Sequence, residues 1–151
     1  MMEVIAEKRI EAPKEKVFAV FTDLRNCDQH IPGIIKAEVL TDGDIGVGTR
    51  WKETREMMGK EHTEEMEISE FVPNDFYRVT ASGCGCAYLT EFHFKEENGE
   101  TLATMNFSAK PLTVLAKITS PLMGIMMKGS LKKMMDEDMQ ALKKVCEGRS
   151  D

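Results

Sequence analysis

The pattern of apolar residues changes once along the chain, close to Pro111. Before this point, short stretches in which apolar and polar residues alternate are separated by turn sequences, which predicts antiparallel strands joined by hairpins. Beyond it, apolar residues recur at spacings of three and four as far as Cys146, which predicts an amphipathic helix carrying six of the chain's 12 methionines. A curved sheet closed by one helix encloses space, and methionine adapts its shape to an apolar occupant.

Length and charge limit the class of protein. The 151 residues predict one domain, residues 1–151, that buries a core without disulfides or metals. A net charge of −6 argues against nucleic acid as a partner, because phosphate binding requires a basic surface. No apolar run approaches the roughly 20 residues that span a bilayer, and the first ten residues do not form a signal peptide. We therefore expect a cytoplasmic protein without stable membrane insertion.

The four cysteines are expected to be free thiols, because the chain shows no secretion signal. Cys84 and Cys86 stand close enough to hold a metal or a redox bond, but no second Cys/His pair occurs at zinc spacing. The structural interpretation is favoured, and we expect neither a metal nor a cofactor.

The first forty residues predict a strand, two short helices and a second strand. Residues 3–10 alternate as a strand does, and Pro13 suits the first turn of a helix with one buried stripe. A short irregular or helical segment then ends at Pro32-Gly33, and the next strand begins at Ile34.

The dipeptide Asn98-Gly99 is the strongest hairpin signal in the chain, because a type I′ turn requires positive φ at both central residues. Pairing the residues on either side of this turn predicts the whole register of the two strands. It places Phe94 opposite Ala103, Phe92 opposite Met105, Thr90 opposite Phe107 and Tyr88 opposite Ala109, all on the inward face.

A further hairpin is predicted at Gly59-Lys60, with glycine in the first position of a two-residue turn. The reverse face of its strands is charged or threonine, so the other face must point inward. This register places Trp51 opposite Ile68, Glu53 opposite Met66, Arg55 opposite Glu64 and Met57 opposite His62. The turn at Pro73-Asn74-Asp75 then puts Tyr77 on the same inward face.

Four polar side chains are therefore expected on an inward face: Glu53, Arg55, His62 and Glu64. Charges in such a place are costly unless they are paired or wetted. The predicted pairing of Arg55 with Glu64 leaves two interpretations open. One is a half-exposed ion pair near a hairpin end, and the other is a polar rim that orients the head group of a ligand.

The C-terminal helix is expected to be interrupted at Pro121, because proline lacks an N–H and its ring clashes with the preceding turn. We predict an irregular or separate helix up to Ser120 and a long helix after it.

The order of elements resembles the START/Bet v 1-like (SRPBCC) helix-grip superfamily, and its polyketide-cyclase/dehydrase-type members in particular. The resemblance is carried by Ala12-Pro13 with Val17-Phe18, by residues 46–51, by Asn98-Gly99, and by Pro111-Leu112 ahead of residues 121–123. It implies an α+β fold in which a curved seven-stranded antiparallel sheet wraps around a long C-terminal helix, with two short helices between strands 1 and 2. It also implies a cavity between sheet and helix that takes lipids, sterols, polyketides or similar molecules, but no shared catalytic residue.

The leading functional hypothesis is the binding or carriage of an apolar small molecule of lipid, sterol, polyketide or aromatic type. An alternative is a cavity enzyme of cyclase, dehydratase or hydrolase type in which Glu53, His62 or Glu64 acts as acid or base. A third is a protein-interaction or quinone-chaperone module, and Met134 beside Met135 leaves a homodimer open. The candidate ligand-binding residues are Trp51, Glu53, Arg55, His62, Glu64, Met66, Ile68, Tyr77, Tyr88, Thr90, Phe92, Met105, Phe107, Leu122, Met123 and Met126.

Overall fold

The computed structural model describes residues 2–57, 59–83 and 85–148, with the side chains of residues 116, 119–124 and 126 outside that description. Strand β1 (Met2–Ile10) is followed by two short helices, α1 (Lys14–Phe21) and α2 (Cys27–His30), with a 3-10 turn at Leu24–Asn26 between them. The remaining strands are β2 (Ile34–Val39), β3 (Arg50–Met57), β4 (Lys60–Val72), β5 (Phe76–Gly83), β6 (Cys86–Glu97) and β7 (Glu100–Pro111). The last element is the helix α3 (Val114–Cys146).

All seven strands form one antiparallel sheet in the order β1-β7-β6-β5-β4-β3-β2. Each strand from β2 to β6 lies beside the next one in sequence, and β1 pairs with the last strand, β7. The α+β helix-grip arrangement expected from the sequence is confirmed, including the two short helices between the first two strands. None of the helices in the described part of the chain is long and apolar enough to cross a membrane.

The register predicted from Asn98-Gly99 is confirmed. Asn98 and Gly99 have φ values of 53° and 81°, as a type I′ turn requires. The four predicted pairs, from Phe94 with Ala103 to Tyr88 with Ala109, all occur.

The register predicted for β3 and β4 is wrong by two residues. Met57 pairs with Lys60, so Lys60 belongs to β4 and not to the turn, and Gly59 just before it has a φ of 79°. Because the shift is an even number of residues, every side chain keeps its face and only its partner changes. The observed pairs are Trp51 with Met66, Glu53 with Glu64, and Arg55 with His62.

The predicted break at Pro121 is also wrong, since α3 is helical through all 33 of its residues. One proline removes a single backbone hydrogen bond, at a cost of about 3 kcal/mol, and the turns on both sides can continue. The second half of α3 is anchored by residues spaced three and four apart. They are the buried residues Met135, Met139, Leu142 and Cys146, and they join the core cluster of the sheet.

The helix α3 closes the open edge of β1. Lys132 Nζ donates a hydrogen bond to the carbonyl oxygen of Ile5 at 2.6 Å, and Lys143 Nζ donates to that of Arg9 at 2.7 Å. An edge strand with free carbonyl groups invites pairing with another chain, so these lysines protect it. The order of the contacts shows that α3 runs in the same direction as β1.

The helix α1 packs its aromatic residues against the middle of the sheet. Phe18 makes edge-on contacts with Phe71, Tyr77 and Phe94, with ring centres 5.2, 5.9 and 5.4 Å away. The hydroxyl of the buried Tyr77 donates to the Phe21 carbonyl oxygen at 3.3 Å. This aromatic cluster makes one end of the molecule a dense core.

Candidate functional site

The candidate site is the face of the sheet that packs against α3, here called the concave face. Four large apolar side chains near its middle, Met66, Phe92, Met105 and Phe107, remain half-buried. Tyr88 stacks on Phe107 with ring centres 5.9 Å apart and belongs to the same row. Alternation along β4, β6 and β7 brings these side chains to one face, because partners across a ladder share a side.

The predicted lining residues divide into three groups. Met66, Tyr88, Thr90, Phe92, Met105 and Phe107 are half-buried on the concave face, as a lining requires. Trp51, Ile68 and Tyr77 are inward but at most 3% exposed, so they belong to the core beneath the site. The side chains of Leu122, Met123 and Met126 lie outside the described residues.

The indole N–H of Trp51 is a further feature of this core. It is buried, and it has no hydrogen-bond partner among the residues that the structure describes. A buried donor left without a partner costs about 1–3 kcal/mol. Trp51 is the only tryptophan of the chain, so its fluorescence reports on the concave face alone.

The predicted ion pair between Arg55 and Glu64 is wrong, and Arg55 instead reaches the helix. Its Nη1 and Nη2 donate to Oδ1 and Oδ2 of Asp138 on α3 at 3.1 and 2.7 Å. Its Nε donates to Oε2 of Glu53, two residues earlier on the same strand, at 2.9 Å. We call these three residues the Arg55 cluster. Their side chains are nearly buried: Arg55 and Glu53 are each 13% exposed, and Asp138 is 10% exposed. They join β3 to α3 at one end of the concave face.

A glycine makes room for this cluster. A Cβ atom on Gly33, just before β2, would lie 3.2 Å from Arg55 Nη1 and 3.7 Å from Asp138 Oδ1. The first of these distances is tighter than ordinary van der Waals contact, so a larger residue would push the guanidinium away from its carboxylate. The Pro32-Gly33 turn therefore has a packing role as well as a conformational one.

Burial and charge act in opposite directions within the cluster. Burial alone would lower the pKa of Arg55, but the hydrogen bonds and charges of Asp138 and Glu53 outweigh it and raise that pKa. Burial raises the pKa of Asp138, against the opposing pull of Arg55. Two carboxylates share one guanidinium, so the cluster carries a net negative charge when all three groups are ionised.

Glu64 lies across the ladder from Glu53, and its carboxyl group adds to this negative end. Partial desolvation raises the pKa of Glu64, and the charge of Glu53 raises it further. The residue as a whole is exposed, so solvent screens much of this effect. His62, opposite Arg55, is exposed as well. Glu64 and His62 therefore stand on the open side of the site, while the Arg55 cluster forms its floor.

A signal for Asp138 was present in the sequence. Asp138 follows Met135 by three residues and precedes Leu142 by four, so it lies on the buried stripe of α3. A carboxylate in that position requires a cation, because an unpaired buried charge is costly. The strand pattern predicts that Arg55 points inward, so Arg55 is the cation that this buried carboxylate requires.

The histidines and cysteines add no further centre. His30 Nε2 lies 2.9 Å from Asp23 Oδ2, and His93 lies on the outer face beside Glu91. Burial raises the pKa of the Cys27 and Cys146 thiols to about 12, so both are poor nucleophiles. Cys84 lies outside the described residues, whereas Cys86 is half-buried. Within residues 2–57, 59–83 and 85–148, no three His, Cys, Asp or Glu side chains gather as a metal site.

An open groove runs between the edge of β1 and α3. It has a volume of about 540 Å³ and is lined by Glu3, Val4, Ile5, Lys128, Gly129 and Lys132. Val4 lies on the concave face opposite Phe107, so the groove reaches the side of the apolar row.

A sheet wrapped around one long helix, with a half-open apolar row and a polar cluster at one end, is the helix-grip arrangement, a fold of ligand-binding proteins. The chain belongs to the family described as polyketide cyclase / dehydrase and lipid transport, whose model matches residues 1–147. The predicted resemblance to the START/Bet v 1-like (SRPBCC) superfamily is thereby confirmed. No protein of curated function matches the chain in sequence.

Solved structures share this fold at low sequence identity. The protein TTHA0849 from Thermus thermophilus is similar at a TM-score of 0.78 and 19% identity, over 99% of both chains. A Thalictrum norcoclaurine synthase, solved as a point mutant with a transition-state analogue, is similar at a TM-score of 0.70 and 18% identity. The match covers 95% of this chain and 92% of that one. The di-domain ARO/CYC StfQ of the steffimycin biosynthetic pathway is similar at a TM-score of 0.76 and 9% identity. The match covers 97% of this chain and 51% of that one. At these identities the likeness concerns the fold.

Proposed function

We propose that the protein binds or carries an apolar small molecule, of lipid, sterol, polyketide or aromatic type, between the concave face and α3. The observation that carries this proposal is the row of half-buried apolar side chains formed by Met66, Phe92, Met105 and Phe107. Large apolar side chains in a close-packed interior are normally covered completely. A row that stays accessible offers the kind of surface that an apolar ligand covers. The family description, which includes lipid transport, supports the same class of ligand.

The polar end of such a ligand would meet the Arg55 cluster and Glu64. Glu64 precedes Met66 by two residues on the same face of β4, so the acidic end and the apolar row are adjacent. Three of the five N–H groups of Arg55 already donate to carboxylates, and the cluster has more carboxylates than cations. Such an end accepts hydrogen bonds and repels anions. A hydroxyl, phenol or ammonium group is therefore expected to be preferred over a carboxylate.

A second candidate function is catalysis of the cyclase or dehydratase type, and the position of Glu64 favours it. A carboxyl group that faces another carboxylate holds its proton to higher pH, which suits a general acid or base. Two neighbours in fold are an ARO/CYC protein and norcoclaurine synthase, which support an enzyme by analogy only. A poly-β-ketone thioester is the probe for this function. Glu64→Gln should abolish its cyclisation and Glu65→Gln on the outer face should not.

Native mass spectrometry of the purified protein tests the binding proposal. The expected result is a co-purified apolar molecule that organic solvent extracts and that analysis of the extract then identifies. If no such molecule is present, stripped protein should still take up one equivalent of a long-chain alcohol or an aromatic polyketide. Failure of both measurements would contradict the proposal.

A further inference from the structure

The first half of α3 carries large apolar side chains that are exposed to solvent and not buried in the core. Val114, Ile118 and Ile125 are 75%, 72% and 78% exposed, although each is large and aliphatic. At 3.6 residues per turn they fall within an arc of about 40° on one side of the helix. Leu112, just before the helix, is 57% exposed as well. We call Leu112, Val114, Ile118 and Ile125 the apolar patch.

The same part of the chain is basic in an acidic protein. Five of the 20 lysines and arginines, and none of the 26 acidic residues, fall within residues 101–135. This segment therefore carries +5 while the rest of the chain carries −11. All five are lysines, and Lys117 and Lys128 are exposed along one flank of the apolar patch, about 40–60° around the helix from Val114.

From this charge and exposure pattern we propose that the apolar patch and its flanking lysines dock the protein onto the surface of an anionic lipid bilayer. An aliphatic face flanked by lysines lies in a membrane interface with the apolar side in the acyl region and the lysines at the head groups. Anionic lipids attract such lysines over a distance of about a Debye length. The acidic remainder of the protein is repelled by the same surface, so the patch would also set the orientation.

The composition of the segment favours a bilayer over a protein partner. Protein interfaces are enriched in aromatic residues and arginine at their centre and depleted in lysine. Residues 110–133 contain five lysines, no arginine and no aromatic residue. The proposal does not depend on the proposed ligand, because it rests on solvent-exposed residues of α3 and not on the concave face of the sheet.

Flotation with lipid vesicles tests the docking. We expect association with vesicles of phosphatidylcholine and phosphatidylglycerol in equal parts, weak association with phosphatidylcholine alone, and loss of association at high salt. Each lysine at an anionic surface contributes about 1 kcal/mol, so Lys117→Gln with Lys128→Gln should lower the partition coefficient roughly 30-fold. The matched control is Lys52→Gln with Lys95→Gln, which changes two exposed lysines on β3 and β6 and should leave the partition coefficient unchanged.

The apolar half of the proposal has its own pair of variants. Ile118→Ser with Ile125→Ser should weaken association with the mixed vesicles roughly tenfold or more, since each loses the burial of a large aliphatic side chain. Val47→Ser removes an equally exposed aliphatic residue, 70% exposed, from another part of the surface and should have no effect. Equal loss in both variants, or no vesicle association at low salt, would overturn the proposal. So would sedimentation that shows a dimer broken by the Ile118/Ile125 change while vesicle association persists, because the patch would then contact a second copy.

Discussion

Arg55 on β3 and Asp138 on α3 form a two-point ion pair, at 3.1 and 2.7 Å, that fixes the long helix to the far end of the sheet. The helix is otherwise held mainly to β1 and β7, which lie at the opposite end of the sheet order from β3, and to α1. The pair therefore spans the concave face at one end. Any molecule between sheet and helix would have this pair as its polar boundary.

Asp138→Asn should destabilise the fold. Removing one partner of a buried ion pair leaves the other charge uncompensated, at a typical cost of about 3–5 kcal/mol. Glu53 remains beside Arg55, so we expect the lower end of that range. Urea unfolding measures the change, with Asp136→Asn as the control.

Asp136 is two residues earlier on the same helix, and its Oδ1 lies 3.2 Å from Lys132 Nζ. The side chains of Asp136 and Lys132 are 42% and 44% exposed. Exposed pairs of this kind contribute about 0–1 kcal/mol. Equal destabilisation by the two variants would show that the Arg55 cluster is not buried in solution.

Glu64→Gln should change how stability depends on pH. The pKa of Glu64 is raised in the folded protein, so the folded state binds this proton more tightly than the unfolded chain. The stability that Glu64 contributes is present below the ordinary glutamate pKa of about 4.3, and is lost as pH rises through the folded-state value. The variant should therefore gain stability relative to the natural sequence as pH rises from acid to neutral.

Urea midpoints measured across this pH range test the prediction. The control is Glu65→Gln on the outer face, where the carboxylate lies 3.6 Å from Arg50. A rising difference for Glu64→Gln, absent for Glu65→Gln, supports a pKa of Glu64 that desolvation and the charge of Glu53 raise in the folded protein. A difference that falls with pH would mean that Glu64 is stabilised as an anion.

Engineered cysteines should distinguish the observed β3–β4 register from the one predicted by sequence. Thr54 and Thr63 are directly opposed, with their hydroxyl oxygens 2.8 Å apart on the outer face. Opposed residues are near enough for a disulfide and diagonal ones are not. Thr54→Cys with Thr63→Cys should therefore cross-link under mild oxidation, and Thr54→Cys with Glu65→Cys should not. The reverse outcome would restore the register in which Arg55 faces Glu64.

The thiols should differ in reactivity. Burial raises the pKa of Cys27 and Cys146 to about 12, and both side chains are in the core, whereas Cys86 is half-buried at the start of β6. Alkylation of the native protein near pH 8 should label Cys86 well before Cys27 and Cys146. In urea all three should react at similar rates. Fast labelling of Cys27 in the native protein would show that α2 opens readily.

Local patterns determined the parts of the fold that the sequence predicted well. Asn98-Gly99 allows one turn type, and the register of twelve residue pairs follows from it. The turn before β4 contains one glycine, which can take either position of a two-residue loop. Both choices put the same side chains inward, so hydrophobicity could not decide between them.

The polar site was harder to predict because its partners are distant in sequence. Arg55 and Asp138 are 83 residues apart, and only the packing of α3 against the sheet brings them together. The continuity of α3 at Pro121 is equally beyond a local rule, because the turns on both sides of the proline continue the helix. The inward position of Glu53, Arg55 and Glu64 was predicted correctly, but their pairing was not.

Binding of an apolar probe at the concave face is the most direct test of the proposed function. An uncharged environment-sensitive dye should bind one-to-one, change the fluorescence of Trp51, and be displaced by a long-chain alcohol more readily than by the matching fatty acid. Ala81 lies on the concave face opposite Met66 and Tyr88, so Ala81→Phe should fill the site and weaken binding at least tenfold, or about 1.4 kcal/mol. Ser82→Phe, on the next residue and the outer face, should leave binding unchanged. Equal affinity in the two variants, or no saturable binding, would contradict a ligand site between the sheet and α3.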